Sequence, residues 1–305
     1  MFKILRILCL DLITLLEKVL YVKKLPKPGE TVISENFLIG PGGKGANQAL
    51  AAARMGVKTA LVGKVGDDAS GMRVLNNLKK NEVMTSGVAK ADDMPTGTST
   101  IIVDKHGENQ IIYSPGANAQ ASSEQLPIEI LNDKNMLLVQ MELPLEQTLI
   151  AMKNARDSGA TIICNMAPVY KISPVVLKIM DYLILNENEA VECLKIMKMP
   201  IDKDCTKQAM SLAKEGNLTC IITMGKKGCV AVTPEGKNYA IQPPSVDETV
   251  DTTGAGDCFS GTFAACLHKG HDFKTALNYA TIAATLSCLR PGAQSSYPFL
   301  DDIEQ

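Results

Sequence analysis

Short apolar runs and longer stretches of helical periodicity alternate along most of the chain. The runs Thr59 to Gly63, Met136 to Gln140, Thr161 to Asn165, Tyr182 to Asn186 and Cys220 to Thr223 are mostly apolar, as strands covered on both faces require. Between them, Gly45 to Met55, Leu145 to Ser158, Asn188 to Lys198 and Lys203 to Lys214 show the spacing of helices with one buried face. This alternation predicts an α/β fold with a mainly parallel central sheet and helices on both sides. No linker, charge block or repeat interrupts it, so residues 1–305 are expected to form a single domain.

Two regions break the rhythm. Thr31 to Gly40 and Thr96 to Tyr113 are rich in β-branched residues and partly alternating, and the polar stretch Asp104 to Asn109 separates two apolar runs as a hairpin turn would. They predict a small second β-sheet, with segments of approximately 18–41 and 96–114 inserted in the core. A sheet projecting in this way can act as a lid over the crevice at the strand carboxyl ends, where open α/β folds bind ligands. At the amino terminus, Lys3 and Arg6 precede Ile7-Leu8-Cys9-Leu10, Leu12-Ile13 and Leu15-Leu16 within Met1 to Tyr21. Asp11 and Glu17 interrupt that segment and no small-residue cleavage site follows, so a buried first strand is expected rather than a signal peptide.

With 46% hydrophobic and 21% charged residues, the chain can bury a sizeable core. Its net charge of -2 arises from interspersed basic and acidic residues. It therefore sets up no field that would favour nucleic acid or an anionic membrane, and a small-molecule partner is expected. No apolar run approaches the roughly 18 residues of a membrane span. The nine cysteines form no CxxC pair, which points to reduced thiols in a cytoplasmic protein. His268 and His271 stand three apart but lack a third ligand nearby, and His106 falls in the hairpin turn, so neither site suggests a metal.

The strongest chemical signal is Val250 to Gly261, which runs into an apolar-periodic helix through Leu267. Small residues at Gly254, Ala255 and Gly256 ahead of a helix let backbone N–H groups face a bound anion, and the helix dipole adds to the attraction. Asp257 follows directly, placed to accept a proton from a substrate hydroxyl while that cradle neutralises a phosphoryl group in transfer. Taken alone, these residues also fit a Gly-rich turn with Asp257 capping a helix. A second glycine-rich stretch, Gly40 to Ala49, also enters a helix. Its glycines allow close backbone approach to a ligand, and Lys44 and Asn47 offer hydrogen bonds to a polyol. The pattern GxxxxGK[ST] occurs nowhere, and no GxGxxG follows the first strand, so a nucleotide has to be held in another way.

In content and order these stretches resemble the ribokinase-like carbohydrate kinase family, from Leu25 to Pro298. Pro28-Gly29-Glu30-Thr31 with Gly42 to Asn47 is similar to the family's first signature, and Asp251 to Asp257 to its second. Asn186-Glu187-Asn188-Glu189 resembles the magnesium-linked NxxE motif, and Thr223 to Gly228 the TxGxxG nucleotide loop. Gln140 to Pro144, Pro115 to Asn118 and Arg290 to Pro298 resemble the ribose-specific branch more than the fructokinase or phosphofructokinase branches.

The resemblance implies a three-layer core with a small β-sheet lid and a homodimer in which two lids clasp. It assigns Gly42, Gly43, Lys44, Asn47, Glu142 and Asp257 to the sugar. Asn186, Thr223, Gly225, Gly228, Gly256 and Thr281 are assigned to ATP, and magnesium is expected near Asn186 and Glu189. It also implies a potassium site near Asp251, Thr253, Ser287, Arg290, Gly292 and Ser296, where carbonyl, carboxylate and hydroxyl oxygens are suitable hard ligands. Asn186 and Glu189 equally fit a helix N-cap and its first-turn acid. Glu142 fits a simple strand end, and Lys226 and Lys227 fit either a solvated turn or a nucleotide contact.

The first strand departs from the family's pattern, in which a Gly-Ser pair leads to Asn and then an Asp that binds sugar hydroxyls. By spacing that acid is Glu17 here; by local context it is Asp11. Both stay open. A Glu carries its carboxylate about one methylene further than an Asp, and large neighbours crowd the floor beneath a sugar. Thr281 stands where the family often has Asn or His beside the adenine. The expected activity is ATP-dependent phosphorylation of D-ribose at its 5-hydroxyl, with Asp257 as general base and Gly254 to Gly256 as anion hole. The alternatives are a kinase for another sugar or nucleoside, and a non-catalytic sugar or nucleotide sensor.

Overall fold

The computed structural model describes residues 7–10, 15–106, 108–142 and 144–304. The chain begins with β1 (Ile7–Leu10), leaves for β2 (Leu15–Val22) and β3 (Asn36–Gly42), and re-enters through α1 (Lys44–Arg54), β4 (Thr59–Gly66), α2 (Ala69–Lys80) and β5 (Met84–Ala91). A second excursion, β6 (Gly97–Asp104) and β7 (Asn109–Ser114), precedes β8 (Met136–Gln140), α3 (Leu145–Asp157), β9 (Thr161–Asn165) and β10 (Tyr182–Asn186). Then come α4 (Glu187–Ile196), α5 (Cys205–Gly216), β11 (Thr219–Thr223), β12 (Cys229–Val232) and β13 (Asn238–Ile241). Helices α6 (Ala255–His268), α7 (Phe273–Ser287) and the short α8 (Leu300–Ile303) complete the chain.

Among the described residues the main sheet has nine strands in the order β13-β12-β11-β10-β9-β8-β1-β4-β5, parallel except at the β11–β12 and β12–β13 pairings. Successive side chains of a strand point to opposite faces, and the core divides accordingly. Leu8, Leu137, Val139, Ile162, Cys164, Leu183 and Leu185 pack with α3, α4 and α5. Ile7, Cys9, Leu138, Ile163, Ile184 and Ile221 pack with α1, α2, α6 and α7. The apolar runs are continuous because both faces of the sheet are buried, and each fully buried aliphatic side chain contributes roughly 1.5–3 kcal/mol.

The smaller sheet runs β3-β2-β6-β7, with β2 parallel to β6, so the two excursions are joined into one projecting structure. Two expectations need correction here. The amino-terminal segment holds two strands in different sheets: β1 joins the main sheet, whereas β2 pairs with β3 and β6. Thr31 to Glu35 lies outside any strand, with Ile33 88% exposed, and the alternation is used only from Asn36 onward, where β3 pairs with β2. Among the described residues no helix is long and apolar enough to cross a membrane.

Helices α1 and α6 approach closely through small residues. Ala49, Ala51 and Ala52 are buried on α1, and Gly261, Ala264 and Ala265 on α6. A Cβ built at Gly261 would lie 2.2 Å from the Gln48 carbonyl oxygen and 2.8 Å from the Ala51 Cβ. Neither a backbone oxygen nor a buried Cβ can move without shifting the helix that carries it. Gly261→Ala is therefore expected to destabilise the fold by about 1–3 kcal/mol, read as a lower urea midpoint. An unchanged midpoint would mean that the two helices part without cost.

Candidate active site

The head of α6 is built around Gly254, whose backbone is left-handed at φ 74°. A Cβ there would meet the Tyr297 hydroxyl at 2.5 Å and the Ala293 Cβ at 2.7 Å, so glycine is required by both conformation and space. The buried Tyr297 hydroxyl donates to the Gly254 carbonyl at 2.8 Å and holds this corner in place. The cradle is narrower than its sequence suggests, because the Ala255 N–H is already donated to the Thr252 carbonyl at 3.2 Å. The first helical N–H bond is Cys258 to Gly254. Gly256 and Asp257 thus carry the first-turn amides with no acceptor inside the helix, where the dipole concentrates positive charge.

Asp257 is 6% exposed and does not cap its helix, whose N-cap is Gly254 with no side-chain capping bond. Its Oδ2 accepts from Asn47 Nδ2 and its Oδ1 from Gln48 Nε2, each at 2.9 Å. Asn47 Oδ1 in turn accepts from Gln294 Nε2 at 2.9 Å. The Asn47 side chain, expected to serve the sugar, thus also holds the carboxylate.

Two cavities meet at this point. The larger, of about 540 Å³, is lined by the Thr223 to Gly228 loop, by Gln242 to Thr249, and by Thr281 of α7. The smaller, of about 220 Å³, is lined by Lys44, Asn165, Asn186, Glu189 and Asp257 among others. Thr223 and Gly256 border both, so an unpaired helix amide stands on the shared wall with a carboxylate beside it.

Glu17, on β2, joins the site from the small sheet. Its carboxylate lies over Gly42, where an added Cβ would sit 2.2 Å from Glu17 Cδ, and it accepts from the Gly43 N–H. Gly43 itself caps α1 at φ 99°. Of the two residues left open in the sequence, Glu17 lies against Gly42 and Gly43, and Asp11 lies outside the described residues. Burial pushes the Glu17 carboxyl up to about 7, and the charge of Asp257 adds to the rise, against the opposing pull of the Gly43 N–H and Lys44.

A profile of the pfkB family carbohydrate kinases matches residues 5–300. The ribokinase of Schizosaccharomyces pombe is 34% identical over 296 residues, covering 94% of this chain and 93% of that protein. Ribokinase from Thermotoga maritima superposes with a TM-score of 0.88 at 33% identity, covering 98% of both chains. The structure of Arabidopsis thaliana ribokinase complexed with ribose and ATP superposes with a TM-score of 0.86 at 26% identity, over 98% of this chain and 97% of that one. The chain belongs to the pfkB family of carbohydrate kinases.

The remaining family positions divide by what their atoms already do. Asn186 and Glu189 form a reciprocal capping box, each side chain accepting the other's backbone N–H at 2.8 Å, and both line the smaller cavity. Burial raises the Glu189 carboxyl above its ordinary range, only partly opposed by that N–H bond and by Lys44. Thr281 lines the larger cavity, but its hydroxyl donates to the Leu277 carbonyl at 2.8 Å. Lys226 lines that cavity, whereas Lys227 pairs with Glu187 at 3.3 Å on the surface. Glu142 is half-buried just beyond the carboxyl end of β8, whose last residue Gln140 lies in register with Asn165.

Asp251 ties two loops together, accepting from Thr253 N–H at 2.9 Å and Gly292 N–H at 2.8 Å. Seven of the nine cysteines are buried, consistent with core packing. The amide partners Gln48, Gln140, Asn165 and Gln294 are assigned no role from the sequence, although Gln48, Gln140 and Gln294 lie inside the stretches that carry the resemblance. For Gln48, Gln140 and Asn165 the local signal is a polar residue at the end of an apolar strand or inside an alanine-rich helix, and the ends of parallel strands are where such folds bind ligands; Gln294 sits in a turn and offers no such signal.

The shifted carboxyl of Glu17 makes a pH prediction. Because its folded value of about 7 exceeds the ordinary 4.5, the folded state binds the extra proton between these values. Its contribution to stability is full below pH 4.5 and is lost as pH rises through about 7. Glu17→Gln should therefore unfold at higher urea than the parent at pH 8, by about 1–3 kcal/mol, with the difference shrinking toward pH 4.5. An offset that is the same at every pH would show that Glu17 is not the group responsible.

Proposed function

We propose that the chain transfers the terminal phosphoryl group of ATP to the 5-hydroxyl of D-ribose, with Asp257 as the general base. The observation that carries this reading is the wall shared by the two cavities: Gly256 borders both, and Asp257 stands on the smaller one. A sugar alcohol in the smaller cavity meets a carboxylate able to take its proton. The amides of Gly256 and Asp257 face the position where charge builds on the moving phosphoryl group, a correction to the wider anion hole of Gly254 to Gly256. Ribose as acceptor is supported by the ribokinase relatives, and a nucleotide in the larger cavity by the ribose and ATP complex among them. Lys44, the backbone of Gly42 and Gly43, Glu142 and Glu17 are the groups we assign to the sugar. The small sheet would exclude water over the reacting atoms.

Magnesium fits as an ion held chiefly by phosphate and water. Among the described residues no cluster of three acidic, His or Cys side chains could hold a metal, whereas Asn186 and Glu189 line the cavity beside Asp257. Bound there, it would neutralise phosphate charge. The groups proposed for potassium also fit: Ser287 and Ser296 are buried and donate their hydroxyl protons to the Ala284 and Ala293 carbonyls, which leaves oxygen lone pairs for a hard cation. A homodimer through the small sheet is supported by Phe37, Leu38, Ile111, Ile112 and Tyr113, all exposed, which a second copy of the same sheet would cover. A cytoplasmic location agrees with the reduced thiols.

The deciding measurement is sugar-dependent ADP release across ribose, 2-deoxyribose, fructose and a nucleoside, with and without potassium. Ribose is expected to give the highest kcat/KM, and a strong preference for another acceptor would displace it. Asp257→Asn should retain nucleotide binding yet turn over at least ~100-fold more slowly. Undiminished turnover would remove Asp257 from the mechanism.

A further inference from the structure

We propose that Gln48 is a positioning residue that holds the Asp257 carboxylate in its reactive orientation; the inference rests on Asp257 being the base. Gln48 is fully buried. Its Nε2 donates to Asp257 Oδ1 and to Asn165 Oδ1, both at 2.9 Å, while its Oε1 accepts from Gln140 Nε2. The direction of each amide follows from the network. Asn165 Nδ2 is donated to the Ile184 carbonyl at 3.3 Å, which turns Asn165 Oδ1 toward Gln48. With Gln140 supplying a donor to its oxygen, Gln48 presents only its NH₂ to Asp257.

A second relay acts on the other carboxylate oxygen. Asn77 Nδ2 donates to Gln294 Oε1 at 2.6 Å, Gln294 Nε2 to Asn47 Oδ1 at 2.9 Å, and Asn47 Nδ2 to Asp257 Oδ2 at 2.9 Å. Six side-chain amides therefore converge as two donors, one on each oxygen. A carboxylate held at both oxygens cannot rotate away from an incoming alcohol, and orientation of this kind is a large part of the rate in transfer reactions. Gln140 and Asn165 are the last residues of β8 and β9, so the carboxyl ends of the main sheet define the direction of the first relay.

The test compares full-length Gln48→Met, Gln140→Leu and Asp257→Asn by steady-state ADP release with ATP and ribose, together with urea unfolding. Gln48→Met should lower kcat by about 10–100-fold while both KM values stay within about threefold. Gln140→Leu removes the donor to Gln48 Oε1 together with Gln140 Oε1, which has no hydrogen-bond partner among the described residues. Its unfolding midpoint should hold while kcat falls about 3–10-fold. Unchanged kcat in both variants, or losses confined to KM, would overturn the proposal. If Gln48→Met does not fold, Gln140→Leu decides alone, and unchanged kcat there overturns it. An active Asp257→Asn would instead defeat the reading of the base. An inactive Asp257→Asn beside a fully active Gln48→Met would defeat only the role of Gln48.

Discussion

Asp257 is gripped on its two oxygens by neighbouring side chains of a single helix, and that grip exists only because α1 and α6 touch at the level of their backbones. Asn47 and Gln48 are consecutive and leave their helix in different directions. They can converge on one carboxylate only when it comes close to the helix, and Gly261 permits that approach by placing no Cβ against the Gln48 carbonyl. Asp257, the amides of the first turn of α6 and the packing of two helices are consequently one mechanical unit. A displacement of α6 would move those amides and the Asp257 carboxylate together, because they belong to consecutive residues.

The small sheet is tied to the same unit through charge. β2 carries Glu17 to the backbone of Gly42 and Gly43, within electrostatic reach of both Asp257 and Lys44. Burial first, and then the neighbouring charge of Asp257, disfavours the ionised form of Glu17 there. The small sheet thus brings to Gly42 and Gly43 a carboxyl that burial shifts toward neutrality.

The capping box is made by the same side chains that the NxxE resemblance assigns to magnesium. Asn186 and Glu189 have the spacing of a capping box, and the structure forms that box while turning both residues toward the cavity. Spacing alone could not separate the two roles, because a helix that begins at a strand's carboxyl end sets its cap beside the ligand crevice. A similar overlap occurs at Asn47, where polarity and a glycine-rich context suggested a sugar contact and the amide also donates to the Asp257 carboxylate.

The runs Met136–Gln140, Thr161–Asn165 and Tyr182–Asn186 were legible as strands residue for residue, because burial on both faces leaves an uninterrupted apolar signal of fixed length. The glycine-rich entry to α6 was legible for a comparable reason: backbone conformation and helix ends are governed by neighbours in the chain. The short antiparallel strands β12 and β13 carried too little pattern to be found. The partners of Asp257 could not be read at all, since Asn47 and Gln48 lie 210 and 209 residues away from it, and Gln294 lies 247 residues from Asn47. Local order in the sequence decides which backbone amides are left unpaired. Only the packed sheet and its helices decide which side chains, distant along the chain, meet the carboxylate beside them.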